Sequence, residues 1–194
     1  LASGRSMRDL FVELVRLHKE EGLSFKNVVV FGSYEFYPLA DASLGSMGQI
    51  KSQLLDHVDI LPENVHTFPG DLPKETVFIF CEEYEKAIEA AGGIDIQVLG
   101  IGQCGNIAVN EPGTQPNSST RLVIMDGNSR TDAKSLFGHA TQVPTCAITL
   151  GIDTILQAKE VILLAFGQHK AGIVKQAIEE VANASCPASY LQLH

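Results

Sequence analysis

A carboxylate that follows a glycine-punctuated turn is the group in this sequence best suited to chemistry. The apolar residues 94–99 lead into the glycine-rich residues 100–105, and Glu111 then follows, held between Asn110 and Pro112. A positioned carboxylate can act as a general acid or base. The sequence therefore places a candidate catalytic group shortly after the end of an apolar strand.

A phenol and a second carboxylate follow another apolar run, residues 28–31. The phenol of Tyr34 has an ordinary pKa near ~10 and is a poor base at neutral pH. Glu35 is adjacent but projects differently, so it serves as a base only if the loop shifts. The alternative interpretation is that both residues cap a strand, and the sequence leaves the two interpretations open.

Small residues at the start of the chain form a candidate anion site. Ser3, Gly4, Arg5 and Ser6 precede a segment of helical periodicity. Small side chains let the backbone approach an anion, and the first amides of a helix point toward it. A Gly-Ser turn before a helix is, however, more often a simple cap. The order of such loops along the chain favours the anion site.

Strands and helices alternate along the chain, which predicts an α/β fold. We expect a Rossmann-like, mostly parallel sheet with helices on both faces, and ligands beyond the carboxyl ends of its strands. The candidate loops at those ends are residues 3–6, 32–37, 100–111 and 167–170. The predicted strands are 28–31, 94–99, 121–125, 147–150 and 161–166, and the predicted helices are 7–21, 46–58, 74–91, 131–137, 153–158 and 169–181.

Composition narrows the class of protein. The 194 residues are 45% hydrophobic, which fits one domain over residues 1–194. The chain opens on residues typical of a loop after a strand, and its last residues, 190–194, form a strand-like apolar run. We therefore expect the chain to be cut from a longer one at both ends. The net charge of −9 repels nucleic-acid phosphates, yet it allows a small phosphorylated ligand in a local nest of amides and cations.

Cysteine spacing and hydropathy predict a cytoplasmic protein. The four cysteines lie far apart without a paired motif, which is typical of free thiols in a reducing compartment. No segment has the pattern of a signal peptide or of a membrane-crossing run. Scattered histidines predict no metal site, and an incomplete glycine pattern predicts no dinucleotide cofactor.

The segment from Gly100 to Gly113 resembles the active-site segment of the glucosamine-6-phosphate deaminase (isomerase) family. That family reads Gly-x-Gly-His-Ile-Gly/Ala-Phe-Asn-Glu-Pro-Gly/Ala, and this branch is separated by Asn-Glu-Pro-Gly from the related 6-phosphogluconolactonases. The resemblance continues in order along nearly the whole chain. It implies a cofactor-independent aldose–ketose isomerisation of glucosamine 6-phosphate with loss of ammonia, in amino-sugar metabolism, by a homo-oligomer.

The resemblance also implies roles for individual residues. Ser3, Gly4 and Ser6 match the loop that binds the sugar phosphate, whereas Arg5 departs from it. Lys170 matches the lysine of Gly-x-x-Lys-Ala, which contacts the same phosphate in the family. We therefore expect these five residues to bind a phosphorylated sugar.

Two positions depart from the family where proton transfer is expected. Tyr34 stands at the position of the aspartate base, and Asn106 at that of the histidine that relays a proton to the ring oxygen, while Glu111 matches that histidine's partner. An amide cannot exchange protons as imidazole does. Three hypotheses remain, namely a deaminase, a phosphosugar-binding or regulatory module, and a structural domain. Tyr34 and Asn106 favour the second over full activity, and retention of Glu111 and Lys170 argues against the third.

Overall fold

Parallel strand pairs with helices between them form the frame of the molecule, in a computed structural model that describes residues 1–139 and 141–194. The α/β class expected from the sequence is confirmed. The strands are β1 Val30–Phe31, β2 Tyr34–Tyr37, β3 Val65–His66, β4 Ile96–Gly100, β5 Arg121–Ile124, β6 Cys146–Thr149 and β7 Glu160–Leu164. The α-helices are α1 Arg8–Glu21, α2 Ser46–Gln53, α3 Val77–Ala90, α4 Gly127–Phe137, α5 Ile152–Leu156 and α6 Ala171–Glu179.

Two strand pairs are parallel and three strands form an antiparallel sheet. β1 pairs with β3 and β4 with β7 in parallel, with Val98 opposite Ile162. β4 and β7 correspond to predicted strands 94–99 and 161–166, and as hydrogen-bonded parallel neighbours they send their following loops to the same edge. The antiparallel order β2-β6-β5 was not expected from the strand–helix alternation.

The segment predicted as a loop over residues 32–37 contains strand β2. Glu35, Phe36 and Tyr37 are buried, and β2 pairs along its length with β6. A buried backbone must find partners for its amides and carbonyls, and the ladder with β6 supplies them. The Phe36 ring also packs edge-on against Phe137 of α4, with ring centroids 5.1 Å apart. β2 thereby joins the antiparallel sheet to α4.

Two further elements differ from their predicted bounds. Helix α4 begins at Gly127, four residues before the predicted start, because the Asp126 side chain accepts a hydrogen bond from the Ser129 amide at 2.7 Å and caps the helix. The last apolar run, predicted to be strand-like, lies in a 3₁₀ helix, Pro187–Leu193, which begins with proline. The earlier start of α4 places Ser129 in its first turn.

Apolar side chains from helices and strands form the core. The central cluster packs Leu99 of β4 against Ile148 of β6 and the helix residues Tyr84 and Ile155. A second cluster holds Phe11 of α1. No helix among the described residues is both long and apolar enough to cross a bilayer.

We expect Gly151→Ala to lower the free energy of unfolding by about 1–3 kcal/mol, as overpacking typically does. A Cβ at this position would lie 1.9 Å from the Ser118 carbonyl oxygen, which belongs to backbone and cannot rotate away. Gly172→Ala is the matched control, since a Cβ there meets nothing within 4 Å and lies in a helix. Denaturant unfolding of both variants measures the effect. Equal stability of the two variants would contradict the close approach.

Candidate functional site

A cavity of about 650 Å³ opens between the start of the chain, strand β2, the loop after β4 and helix α4. Seven of the nine residues predicted from the sequence line it, and Glu35 and Glu111 do not. The seven are Ser3, Gly4, Arg5, Ser6, Tyr34, Asn106 and Lys170. A larger groove of about 970 Å³ along α3 contains none of the nine. The cavity is therefore the candidate functional site.

One end of the cavity combines small residues with cations. Gly4 has a φ of 115°, a backbone conformation that favours glycine, and it precedes the 3₁₀ turn Arg5–Met7. The Lys170 ammonium donates a hydrogen bond to the Ile101 carbonyl at 2.8 Å, which ties it to the loop after β4. His169 also lines this part of the site. Hydroxyls, an ammonium and a guanidinium in one place suit a phosphate group.

The Tyr34 phenol lies at the wall of the cavity and contacts this end. Its oxygen is 2.9 Å from Ser3 Oγ. Burial raises the pKa of Tyr34, and the charge of Glu35 adds to the rise, while hydrogen bonding lowers it in part. The phenol is therefore neutral at physiological pH, so it can donate a hydrogen bond but is a poor base.

The Glu35 carboxylate caps a helix and does not face the cavity. Its oxygens accept hydrogen bonds from the amides of Phe36, Ser46 and Met47 at 2.8, 2.8 and 3.0 Å. The side chain is only 3% exposed. Burial raises the pKa of Glu35, and these backbone hydrogen bonds oppose the rise. This geometry argues against Glu35 as a base. It also differs from the alternative that Glu35 caps a strand, because the residue lies within β2 and its carboxylate caps α2.

Asn106 lies over the turn that follows β4. A Cβ on Gly102 would be only 1.8 Å from Asn106 Oδ1, so a side chain at residue 102 would displace the Asn106 amide from its present position. The Asn106 amide donates to Ser129 Oγ at 3.4 Å, and the Gly102 amide donates to the Asn106 carbonyl at 2.8 Å. The turn therefore presents an amide side chain, which binds hydroxyls but does not titrate.

Glu111 does not line the cavity and lies behind Asn106 and Ser129, which do. Its Oε1 accepts from the Asp126 amide at 3.4 Å, and its Oε2 is buried with no hydrogen-bond partner among the described residues. Burial raises the pKa of Glu111, and a hydrogen bond from Ser129 offsets part of that rise. Ser129 thus stands between Asn106 and Glu111.

Sequence reasoning missed the residues that hold this loop in place. Asn110 is fully buried, and its amide donates to the Ile107 and Leu150 carbonyls at 3.1 and 2.9 Å. Its oxygen accepts from Arg121 Nη2 at 3.0 Å. Ala108, which lines the cavity, has a φ of 50°, uncommon for a residue with a Cβ. The Asn-Glu-Pro string was the available signal, but it does not show that the asparagine acts on the backbone.

Comparison with known proteins connects this fold and this loop to one group. The family model described as glucosamine-6-phosphate isomerases/6-phosphogluconolactonase matches residues 1–194. The chain belongs to this family. The match therefore covers the whole chain and not only the segment from Gly100 to Gly113.

Relatives within the family carry the deaminase name. The chain is 50% identical to a glucosamine-6-phosphate deaminase-like protein of Bacteroides thetaiotaomicron, over 100% of this chain and 29% of the relative. It is 42% identical to a glucosamine-6-phosphate deaminase of Shewanella woodyi, over 100% of this chain and 73% of that protein. The chain thus spans less than a third of the first relative and about three quarters of the second.

The fold also matches a solved structure of this family. A monomeric glucosamine-6-phosphate deaminase superimposes with a TM-score of 0.95 at 33% identity, over 100% of this chain and 80% of that one. The described residues therefore have the fold of the matched 80% of that structure, including the strands that carry the site.

We expect Glu35→Gln to lower the free energy of unfolding by about 1–3 kcal/mol, the cost of leaving a buried donor without its acceptor. The glutamine amide would bring a donor against the Ser46 or Met47 amide, which now donate to the carboxylate. Glu75→Gln is the matched control because Glu75 is exposed. Thermal or denaturant unfolding measures both variants, and equal stability would show that the cap contributes little.

Proposed function

We propose that the chain binds a phosphorylated amino sugar of the glucosamine 6-phosphate type, and that its turnover as a deaminase is very low. The observation that carries the proposal is the composition of the cavity wall. Ser3 to Ser6 and Lys170 supply a phosphate site, whereas the groups beside it, Tyr34 and Asn106, are neutral. The family membership supports the sugar class.

The phosphate end supports binding. A phosphate monoester carries about 1.5–2 negative charges at pH 7 and accepts hydrogen bonds through its oxygens. Arg5 and Lys170 supply positive charge, and the hydroxyls of Ser3 and Ser6 supply donors. The chain's net charge of −9 makes this local cationic set necessary for capture of an anion.

The other end of the cavity supports weak turnover. The deaminase reaction moves a proton from C2 to C1 of the opened sugar, and water then replaces the nitrogen at C2 and releases ammonia. It needs a base at the carbon and a group that relays a proton to the ring oxygen. The Tyr34 phenol is neutral and hydrogen-bonded to Ser3, so it is a poor base. The Asn106 amide does not titrate, so it cannot relay a proton. Glu35 is held by helix amides, and Glu111 lies behind Ser129.

A full deaminase is the second candidate function. It is favoured by the named relatives and by Glu111, which matches the family glutamate. In that case a neighbouring group would have to replace the aspartate and the histidine together. The binding module remains the better-supported function because neither Glu35 nor Glu111 lines the cavity. Two other carboxylates do line it: Asp9 lies in the first turn of α1, and Asp132 accepts a hydrogen bond from Gln103 Nε2 at 3.0 Å.

Location and assembly are inferred from the class of protein. Free cysteines and a metabolic sugar phosphate favour the cytoplasm. A homo-oligomer stays a prediction, and the similar deaminase of known structure is monomeric. Size-exclusion chromatography with light scattering would distinguish a monomer from an oligomer.

We expect Lys170→Ala to weaken the binding of glucosamine 6-phosphate about 10- to 150-fold, because a charge-assisted hydrogen bond contributes about 1.5–3 kcal/mol. Lys175→Ala is the matched control, since Lys175 is exposed on α6, the helix that Lys170 immediately precedes, and does not line the cavity. Isothermal titration calorimetry measures both. Absence of heat and of any thermal shift in the unmodified protein at millimolar ligand would favour the structural domain.

We expect the double variant Tyr34→Asp with Asn106→His to release ammonia faster than either single variant. The two groups serve successive steps of one path, so each alone leaves the other step slow. A coupled ammonia-release assay measures the rates. Adding Glu111→Gln to the double variant should remove much of the gain. Turnover of the unmodified protein in the common range of ~1–10³ s⁻¹ would contradict the proposal and identify another base.

A further inference from the structure

The hydrogen bond between the hydroxyls of Tyr34 and Ser3 is not explained by a role of Tyr34 in abstracting a proton from the sugar. Tyr34 lies on β2 and Ser3 in the loop before α1, and their oxygens are 2.9 Å apart at the cavity. We infer that Tyr34 is a positioning residue, which orients the Ser3 hydroxyl so that Ser3 donates its hydrogen to a bound phosphate. This inference rests on the proposed function and assigns Tyr34 a part in phosphate recognition.

Strand geometry aims the phenol at this loop. Successive side chains of a strand point to opposite faces, so Tyr34 and Phe36 share one face and Glu35 the other. Tyr34 and Phe36 line the cavity, and Glu35 binds the amides at the start of α2. The Tyr34 ring also packs edge-on against Phe36, with ring centroids 5.7 Å apart. The phenol is thus held at the wall by the Phe36 ring and by its contact with the Ser3 hydroxyl.

The direction of the hydrogen bond follows from the ligand. A phosphate at neutral pH is an acceptor, so a hydroxyl that binds it must donate. Ser3 has one hydroxyl hydrogen, and once that is given to phosphate its oxygen can only accept. Tyr34 then donates to Ser3, and the two hydroxyls form a chain in which each bond strengthens the next. Burial raises the pKa of Tyr34, so the phenol keeps its hydrogen over the physiological range.

The same argument explains why a tyrosine differs from the aspartate that the family carries at this position. An ionised carboxylate only accepts, so beside Ser3 it would take the hydroxyl hydrogen that the phosphate needs. A neutral phenol leaves that hydrogen free. The substitution therefore exchanges a base for a donor to the phosphate loop, which fits a site that holds its ligand without turning it over.

A second hydroxyl near the phenol does not account for the contact. The Ser46 hydroxyl also approaches Tyr34, is fully buried, and has no closer hydrogen-bond partner among the described residues. Ser46 does not line the cavity, whereas Ser3 does. Ser46 therefore leaves the phenol hydrogen to Ser3, which lies within hydrogen-bond distance of the phenol and lines the cavity.

The test compares Tyr34→Phe, Ser3→Ala and the double variant in the otherwise unmodified chain. Tyr34→Phe keeps the ring and removes only the hydroxyl. We expect it to weaken binding of glucosamine 6-phosphate and of inorganic phosphate about 3- to 10-fold, the usual range for one hydrogen bond. Ser3→Ala should weaken binding at least as much. Adding Tyr34→Phe to Ser3→Ala should then have no further effect, because the phenol acts through that hydroxyl.

Tyr37→Phe is the matched control. Tyr37 lies on the same strand, is buried, and donates its hydroxyl to the Leu72 carbonyl outside the cavity. It should lower thermal stability without changing affinity, and a purely structural role for Tyr34 would give Tyr34→Phe the same pattern. That result, or affinity in Tyr34→Phe equal to that of the unmodified protein, would overturn the inference while leaving phosphosugar binding in place.

The two proposals fail in different ways. If the unmodified protein binds neither glucosamine 6-phosphate nor inorganic phosphate in calorimetry, the proposed function fails and the inference fails with it. If it binds both, and Tyr34→Phe and Ser3→Ala show non-additive losses, the inference is supported. Additive losses in the double variant would show that Tyr34 acts on the ligand by another route and would overturn the inference.

Discussion

The placement of the Glu35 carboxylate against the first amides of α2 constrains the rest of the site. Three backbone amides converge on this buried side chain, which fixes β2 relative to α2. Because strand residues alternate in direction, the same contact turns Tyr34 and Phe36 toward the cavity. One buried hydrogen-bonded group thus removes a carboxylate from the site and brings a phenol into it.

The loop after β4 is organised in a comparable way. Asn110 makes three hydrogen bonds, two to backbone carbonyls and one from the Arg121 side chain of β5. Glu111 is thereby held in a half-buried position at the start of α4 and reaches the cavity wall only through Ser129. An amide and a hydroxyl bind sugar hydroxyls, but they supply no proton transfer near neutral pH. The family scaffold is kept, and its wall is suited to holding a ligand.

Local pattern was enough for much of the fold and of the site. Continuous apolar runs identified β4 and β7, and the glycine-punctuated turn between β4 and Glu111 marked the loop that lines the cavity. Lys170 follows β7 and meets the loop after β4 because parallel strands send their following loops to the same edge. Ser3 to Ser6 reach the same cavity from the start of the chain. The position of β2 in an antiparallel sheet was not visible, because its partner β6 lies more than a hundred residues away.

Chemical type belongs to the residue and can be read from the chain, so a neutral phenol at Tyr34 and an amide at Asn106 were known before any coordinates. The direction in which each side chain points, and the group with which it forms a hydrogen bond, are decided by packing. Only the tertiary structure turns Glu35 into a helix cap, places Ser129 between Asn106 and Glu111, and brings the Tyr34 hydroxyl to Ser3. These contacts join segments from 11 to 31 residues apart in sequence, and their geometry depends on strand pairing and helix starts that no local pattern encodes.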